Sequence, residues 1–102
     1  MKRGELWVAE AGGKRRPVLI LTRSEVIDVR RFVTVAEVTT SIRGLASEVR
    51  LDHAAVGLDR PSVVNCDGLH TIDQASLRGP IGVADEDVVH AVCAATAYAL
   101  GC

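Results

Sequence analysis

Residues 12–21 read GGKRRPVLIL, and this stretch decides the fold. From Pro17 the chain runs PVLILT, a continuous apolar segment that suits a strand buried on both faces. A proline fits at the opening of such a strand, where no ladder hydrogen bond is lost. Directly before it stand three cations, Lys14, Arg15 and Arg16. They read either as a solvated turn or as an anion site held rigid by the strand behind it.

The neighbouring segments extend the same pattern. Residues 4–9 (GELWVA) form an expected first strand, ended by Gly12-Gly13. Residues 32–40 (FVTVAEVTT) are rich in β-branched side chains and form a third. Residues 47–52 alternate as a half-exposed strand does, residues 62–66 (SVVNC) follow Pro61, and residues 81–84 make a short last strand. Asp73 opens a short helical turn with an acidic cap. Asp85-Glu86-Asp87 opens a longer helix to Leu100, its acids complementing the helix dipole and Gly101 stopping it. Val88, Val89, Val92, Ala95 and Ala99 recur at helical spacing and give that helix one apolar face. The fold class is therefore α+β and mainly β: one small, strongly curved sheet or barrel closed by a C-terminal helix.

Composition bounds the rest. A chain of 102 residues is long enough for one core, so residues 1–102 are expected to form one domain. With three aromatics, Trp7, Phe32 and Tyr98, that core must be aliphatic. No apolar run reaches the ~20 residues that span a bilayer, and no apolar signal segment follows the charged start, so neither membrane insertion nor export is expected. Three cysteines without C-x-x-C spacing and three scattered histidines favour neither a disulfide framework nor a metal site; no metal or cofactor is expected, and reduced thiols fit the cytoplasm. Charge is uneven. Residues 1–50 hold ten Lys or Arg against six acids, and residues 51–102 hold two against seven. The basic half can meet a polyanion although the net charge is −1.

An ordered set of segments carries a resemblance: Met1-Lys2-Arg3-Gly4-Glu5-Leu6-Trp7, then Arg16-Pro17-Val18-Leu19-Ile20, then Val35-Ala36-Glu37-Val38-Thr39-Thr40, then Val63-Val64-Asn65-Cys66-Asp67 with His70-Thr71-Ile72-Asp73. Together they resemble the MazF/PemK/Kid toxins along essentially the whole chain. The resemblance implies an SH3-like small barrel of the PemK/CcdB kind, assembled as a homodimer. It implies the toxin of a type II toxin–antitoxin pair, an mRNA-interferase-type endoribonuclease that cuts single-stranded RNA without metal. The products would be a 2′,3′-cyclic phosphate and a 5′-hydroxyl, and the outcome growth arrest. A MazE-like antitoxin is the implied partner, with an acidic, partly disordered segment to cover the basic groove.

Cleavage of this kind uses the adjacent 2′-OH as nucleophile, so only RNA is a substrate. The site must take a proton from that hydroxyl, stabilise the phosphorane and protonate the leaving 5′-oxygen. Arg16 matches the family's catalytic arginine; its planar, permanently charged fork suits an electrostatic clamp on phosphate. Thr39 matches the catalytic Thr or Ser, whose hydroxyl donates to a non-bridging oxygen. By strand alternation Val33, Val35, Glu37 and Thr39 share a face. Two roles for Glu37 stand open there, as partner of Arg16 in the free enzyme or as base. His70, in an expected loop, replaces the family's Arg or Lys and is suited to proton transfer. Lys14 and Arg15 are expected to grip the RNA backbone, and Asp73 to lie near the RNA while capping its helix. One departure is visible: the loop at 10–15 is shorter than relatives carry.

Two other readings keep less of the sequence. A gyrase-binding toxin of the CcdB kind needs neither the Arg-Pro-Val strand nor Thr39. A non-catalytic SH3-like module would need an aromatic groove that three scattered aromatics do not supply.

Overall fold

The computed structural model describes residues 1–102. Six antiparallel strands form one curled sheet in the order β4-β5-β3-β2-β1-β6. They are β1 (Glu5–Ala11), β2 (Lys14–Ile20), β3 (Phe32–Thr39), β4 (Glu48–Arg50), β5 (Val63–Asp73) and β6 (Arg78–Val83), with a one-turn helix α1 (Ser24–Ile27) and a C-terminal helix α2 (Glu86–Leu100). The expected SH3-like barrel is thus a half-barrel closed on one face by α2.

The apolar run after Pro17 is buried on both sides, as its composition required. Leu6, Leu19, Ala36, Val38, Val64 and Cys66 face α2 and meet Val92 and Ala95. Val18, Ile20, Val33 and Val35 face the other way, against Ile27 and Leu77. Each fully buried aliphatic side chain contributes about 1.5–3 kcal/mol, so the two clusters fix the sheet's curvature from both sides. Helix α2 is capped as expected: Val88 N donates to Asp85 Oδ1 at 2.9 Å, and Gly101 ends it at a φ of 76°.

Four expectations change. The loop at residues 10–15 is mostly strand, because Gly12 and Gly13 both take positive φ and close a two-residue hairpin between Ala11 and Lys14. Pro17 therefore lies within β2, opposite Val8, not at its start. Pairing of β2 with β3 begins only at Val18, so the proline sits where β2 has one neighbour and its missing N–H costs no ladder bond. The strand expected at 62–66 continues to Asp73; Cys66-Asp67-Gly68 is a three-residue bulge, since Ala36 faces Leu69 while Glu37 faces Asn65. His70 is accordingly on a strand, opposite Val35, and not in a loop. The short helix after Asp73 is a single 3-10 turn over Gln74–Ser76, with Asp73 accepting from Ala75 N at 2.9 Å.

Candidate active site

The N-terminal half of β2 parts from β3 and forms a two-stranded ribbon with β1, and Arg16 sits on it opposite Ala9. Glu37 lies on β3 opposite Val18, one alternation along the same face. Arg16 Nη1 donates to Glu37 Oε1 at 2.9 Å, and His70 Nε2 meets Glu37 Oε2 at 2.6 Å. One carboxylate thus joins a guanidinium and an imidazole contributed by three different strands. The side chains of Arg16 and Glu37 are only 12% and 14% exposed, and that of His70 is 30% exposed.

Two glycines make room for this arrangement. A Cβ on Gly12 would stand 2.7 Å from Glu37 Oε2, and one on Gly68 would stand 2.7 Å from Glu37 Cδ. Gly68 belongs to the β5 bulge, so the register break that lengthens β5 also opens the space the carboxylate fills. Arg16 Nε is buried without a hydrogen-bond partner. That donor is costly to leave unsatisfied, by about 1–3 kcal/mol.

Beside Arg16 opens a cleft of about 320 Å³, lined among others by Lys14, Arg15, Thr39, Arg60 and Ser62. Thr39 closes β3, and its Oγ1 accepts from Ser41 N at 3.0 Å, which leaves its hydroxyl proton for another acceptor. The structure therefore brings Arg16, Glu37 and His70 together, with Thr39, Lys14 and Arg15 around the adjoining cleft. Asp73 is not among them. It stands opposite Phe32, at the other end of β3, where it pairs with Arg31 at 2.9 Å. The Ala75 backbone N–H, and then the Arg31 guanidinium, hold its carboxyl below the usual aspartate value. Three residues escaped the sequence reading. Arg60 joins the cleft from the β4–β5 connection, and Gly12 and Gly68 act by having no side chain. Only the contacts of Glu37 single out those glycines.

No group of three or more His, Cys, Asp or Glu side chains is placed to hold a metal ion. Of the cysteines, Cys66 is buried in the core facing α2, and burial pushes its thiol up from the ordinary value; Cys93 and Cys102 are exposed and free. No helix is long and apolar enough to cross a membrane.

A half-barrel that holds an arginine and an imidazole on one carboxylate, at the rim of a cleft lined by Lys14, Arg15 and Arg60, has the groups to clamp an anion and to move a proton. Residues 2–100 match the family described as "PemK-like, MazF-like toxin of type II toxin-antitoxin system", and the chain belongs to that family. Among its relatives, the probable endoribonuclease MazF2 of Mycobacterium tuberculosis is 37% identical over 102 residues, the whole of both chains. Endoribonuclease MazF3 of the same organism is 54% identical over 69 residues, 68% of this chain and 66% of that protein. The solved structure of the Mycobacterium tuberculosis toxin MazF-mt6 superposes with a TM-score of 0.88 at 41% identity, covering 95% of this chain and 96% of that one. A MazE–MazF complex from Deinococcus radiodurans is similar at a TM-score of 0.80 and 29% identity, covering 99% and 95%.

Proposed function

We propose that this chain is an endoribonuclease toxin whose single domain, residues 1–102, acts in the cytoplasm as a homodimer. It cuts single-stranded RNA at particular sequences, so that translation and growth stop. The observation that carries the reading is the convergence of Arg16 and His70 on the Glu37 carboxylate beside a basic cleft. Its relatives are named as endoribonucleases, and one related toxin was solved with its MazE, which supports a MazE-like antitoxin as partner.

The mechanism follows from the side chains. Arg16, permanently charged, clamps the non-bridging phosphate oxygens and stabilises the phosphorane. Thr39 adds a hydroxyl donor to the same oxygens. With Nε2–H donated to Glu37, His70 presents Nδ1 as the acceptor that takes the 2′-OH proton. The 2′-oxygen then bonds to phosphorus, the bond from phosphorus to the 5′-oxygen breaks, and the leaving oxygen takes up a proton from water, whose hydroxide is neutralised by the proton held on His70. A 2′,3′-cyclic phosphate and a 5′-hydroxyl result. Glu37 orients the imidazole and holds Arg16 until phosphate competes for it. Lys14, Arg15 and Arg60 grip the backbone. Both oxygens of the Glu37 carboxylate are already taken, by Arg16 and by His70, so the reaction is read as metal-independent.

The test is cleavage of a long single-stranded RNA by the purified protein in EDTA, with 5′-end mapping, beside Arg16→Ala. Discrete cuts bearing 5′-hydroxyls, lost in the variant, are expected. Intact RNA in the presence of folded, antitoxin-free protein would sink the reading and return the gyrase-binding alternative.

A further inference from the structure

The charge excess of residues 1–50 is not used up by the Arg16 cleft. Four more of its arginines, Arg3, Arg23, Arg30 and Arg31, gather at the opposite end of β3. They line a second cleft, of about 520 Å³, around Phe32, and no acidic residue lines it. Arg3 is fixed by its Nε donating to Leu21 O at 2.7 Å and its backbone N donating to Ser24 Oγ at 3.0 Å. Arg31 lies with its guanidinium carbon 5.1 Å from the centroid of the Phe32 ring while it pairs with Asp73. Arg23 and Arg30 form no ion pair. Phe32 is 49% exposed, although it is the sequence's one phenylalanine and opens a core strand.

Gathering four guanidiniums without a lining acid is costly through mutual repulsion, and an anion relieves it. An exposed aromatic ring among arginines is the arrangement on which bases of a single strand stack while their phosphates pair with cations. Thr39 and Phe32 are the two ends of β3, about 23 Å apart along the strand, and by alternation they point to opposite faces of the sheet. A nucleic acid that touches both clefts must therefore be longer than the dinucleotide being cut.

We propose that the Arg3–Arg23–Arg30–Arg31 cleft is a second RNA site, taking the backbone of the same single strand away from the scissile bond and stacking a base on Phe32. The identity of the ligand rests on the ribonuclease reading; the anionic character of the site does not. The second cleft makes affinity depend on RNA length, and it places sequence preference beyond the nucleotides at the cut.

The full chain is titrated by fluorescence anisotropy with single-stranded RNAs of about 5 and about 20 nucleotides, 2′-O-methylated throughout so that neither is consumed. The longer RNA is expected to bind more tightly. In the double variant Arg23→Ala/Arg30→Ala, the slope of log affinity against log salt for the longer RNA should fall by about 1.4, two phosphate contacts at ~0.7 each. Phe32→Leu, which keeps an apolar side chain, should weaken the longer RNA about tenfold through lost stacking. Binding of the shorter RNA should not change in either variant. Unchanged affinity and slope for the longer RNA would overturn the proposal. So would a Glu-rich peptide that binds through Arg23 and Arg30 while the RNA does not, which would assign the cleft to an acidic peptide. Dependence on Arg23 and Arg30 with no RNA ever cut would uphold the second site and defeat the ribonuclease reading.

Discussion

A methyl group on Gly68 would stand 2.7 Å from the carboxyl carbon of Glu37, so the β5 bulge and the carboxylate that joins Arg16 to His70 occupy one shared space. The arrangement of Arg16, Glu37 and His70 therefore depends on a residue that makes no polar side-chain contact. Substitution there tests the arrangement without removing any of its charges.

Gly68→Ala should spare the fold, because the atoms in its way are the far end of a long side chain and can move. It should displace the carboxylate and release Arg16 and His70 from their common anchor. The expected result is a loss of about 100-fold in kcat, the effect of misplacing catalytic groups by an ångström. Cleavage kinetics beside a thermal melt measure both; a large fall in Tm with kcat preserved would contradict the account.

Arg16→Ala removes one side of a largely buried ion pair and leaves Glu37 to His70 alone. Stability should fall by about 2 kcal/mol, the worth of one hydrogen bond to a charged group, because Glu37 keeps its contact with His70. Cleavage should fall at least about 100-fold, as when one preorganised donor to a developing oxyanion is lost. Arg16→Lys should restore more stability than activity, because an ammonium keeps the charge but not the fork. Urea unfolding and cleavage rates of the three proteins separate the two effects.

Asp73 should contribute to stability with a definite pH dependence. Its carboxyl is held below the unfolded value of 3.8, by the Ala75 N–H first and by Arg31. The stabilisation is therefore present above that value and is lost as pH falls through the lower, folded one. Asp73→Asn keeps a capping side chain but not the charge. The variant should be less stable than the parent at neutral pH, and their urea midpoints should converge in acid.

The thiols should divide by burial. Cys93 and Cys102 are exposed, whereas Cys66 is enclosed in the core facing α2 and its thiol is pushed up from 9.0 by burial. A thiol reagent should label two cysteines in the folded protein and the third only on unfolding. Fast labelling of all three would show that the contact between β5 and α2 is looser than described.

The sheet and α2 were legible because their signals are local. An unbroken aliphatic run marks β2, β-branched residues mark β3, and an aspartate, two further acids and a late glycine bracket α2. What escaped depends on partners distant in sequence. Asn65-Cys66-Asp67-Gly68 has the composition of a turn, and only pairing with β3 makes it a bulge inside a strand. Lys14 and Arg15 read as loop because their charges hid a strand that needs no apolar face where it is unpaired with β3. Helix α1 is too short to show a period, and its one buried side chain is Ile27. Within the site, alternation placed Glu37 beside Thr39, but its union with His70, thirty-three residues away, follows from the register that the bulge sets. Asp73 stands apart from the Arg16–Glu37–His70 cluster because it lies three residues beyond His70 on an extended strand.

The two-stranded ribbon has a consequence for solubility. From Lys14 to Pro17, β2 lacks a neighbour on the β3 side, and an open strand edge invites copies of the chain to stack edge to edge into aggregates. Lys14, Arg15 and Pro17 are the residue types that discourage such stacking, by repulsion and by withholding a donor. The cations read as a grip on RNA thus also act as gatekeepers against self-association. Neutralising them to disarm the toxin should yield a protein that is harder to keep in solution.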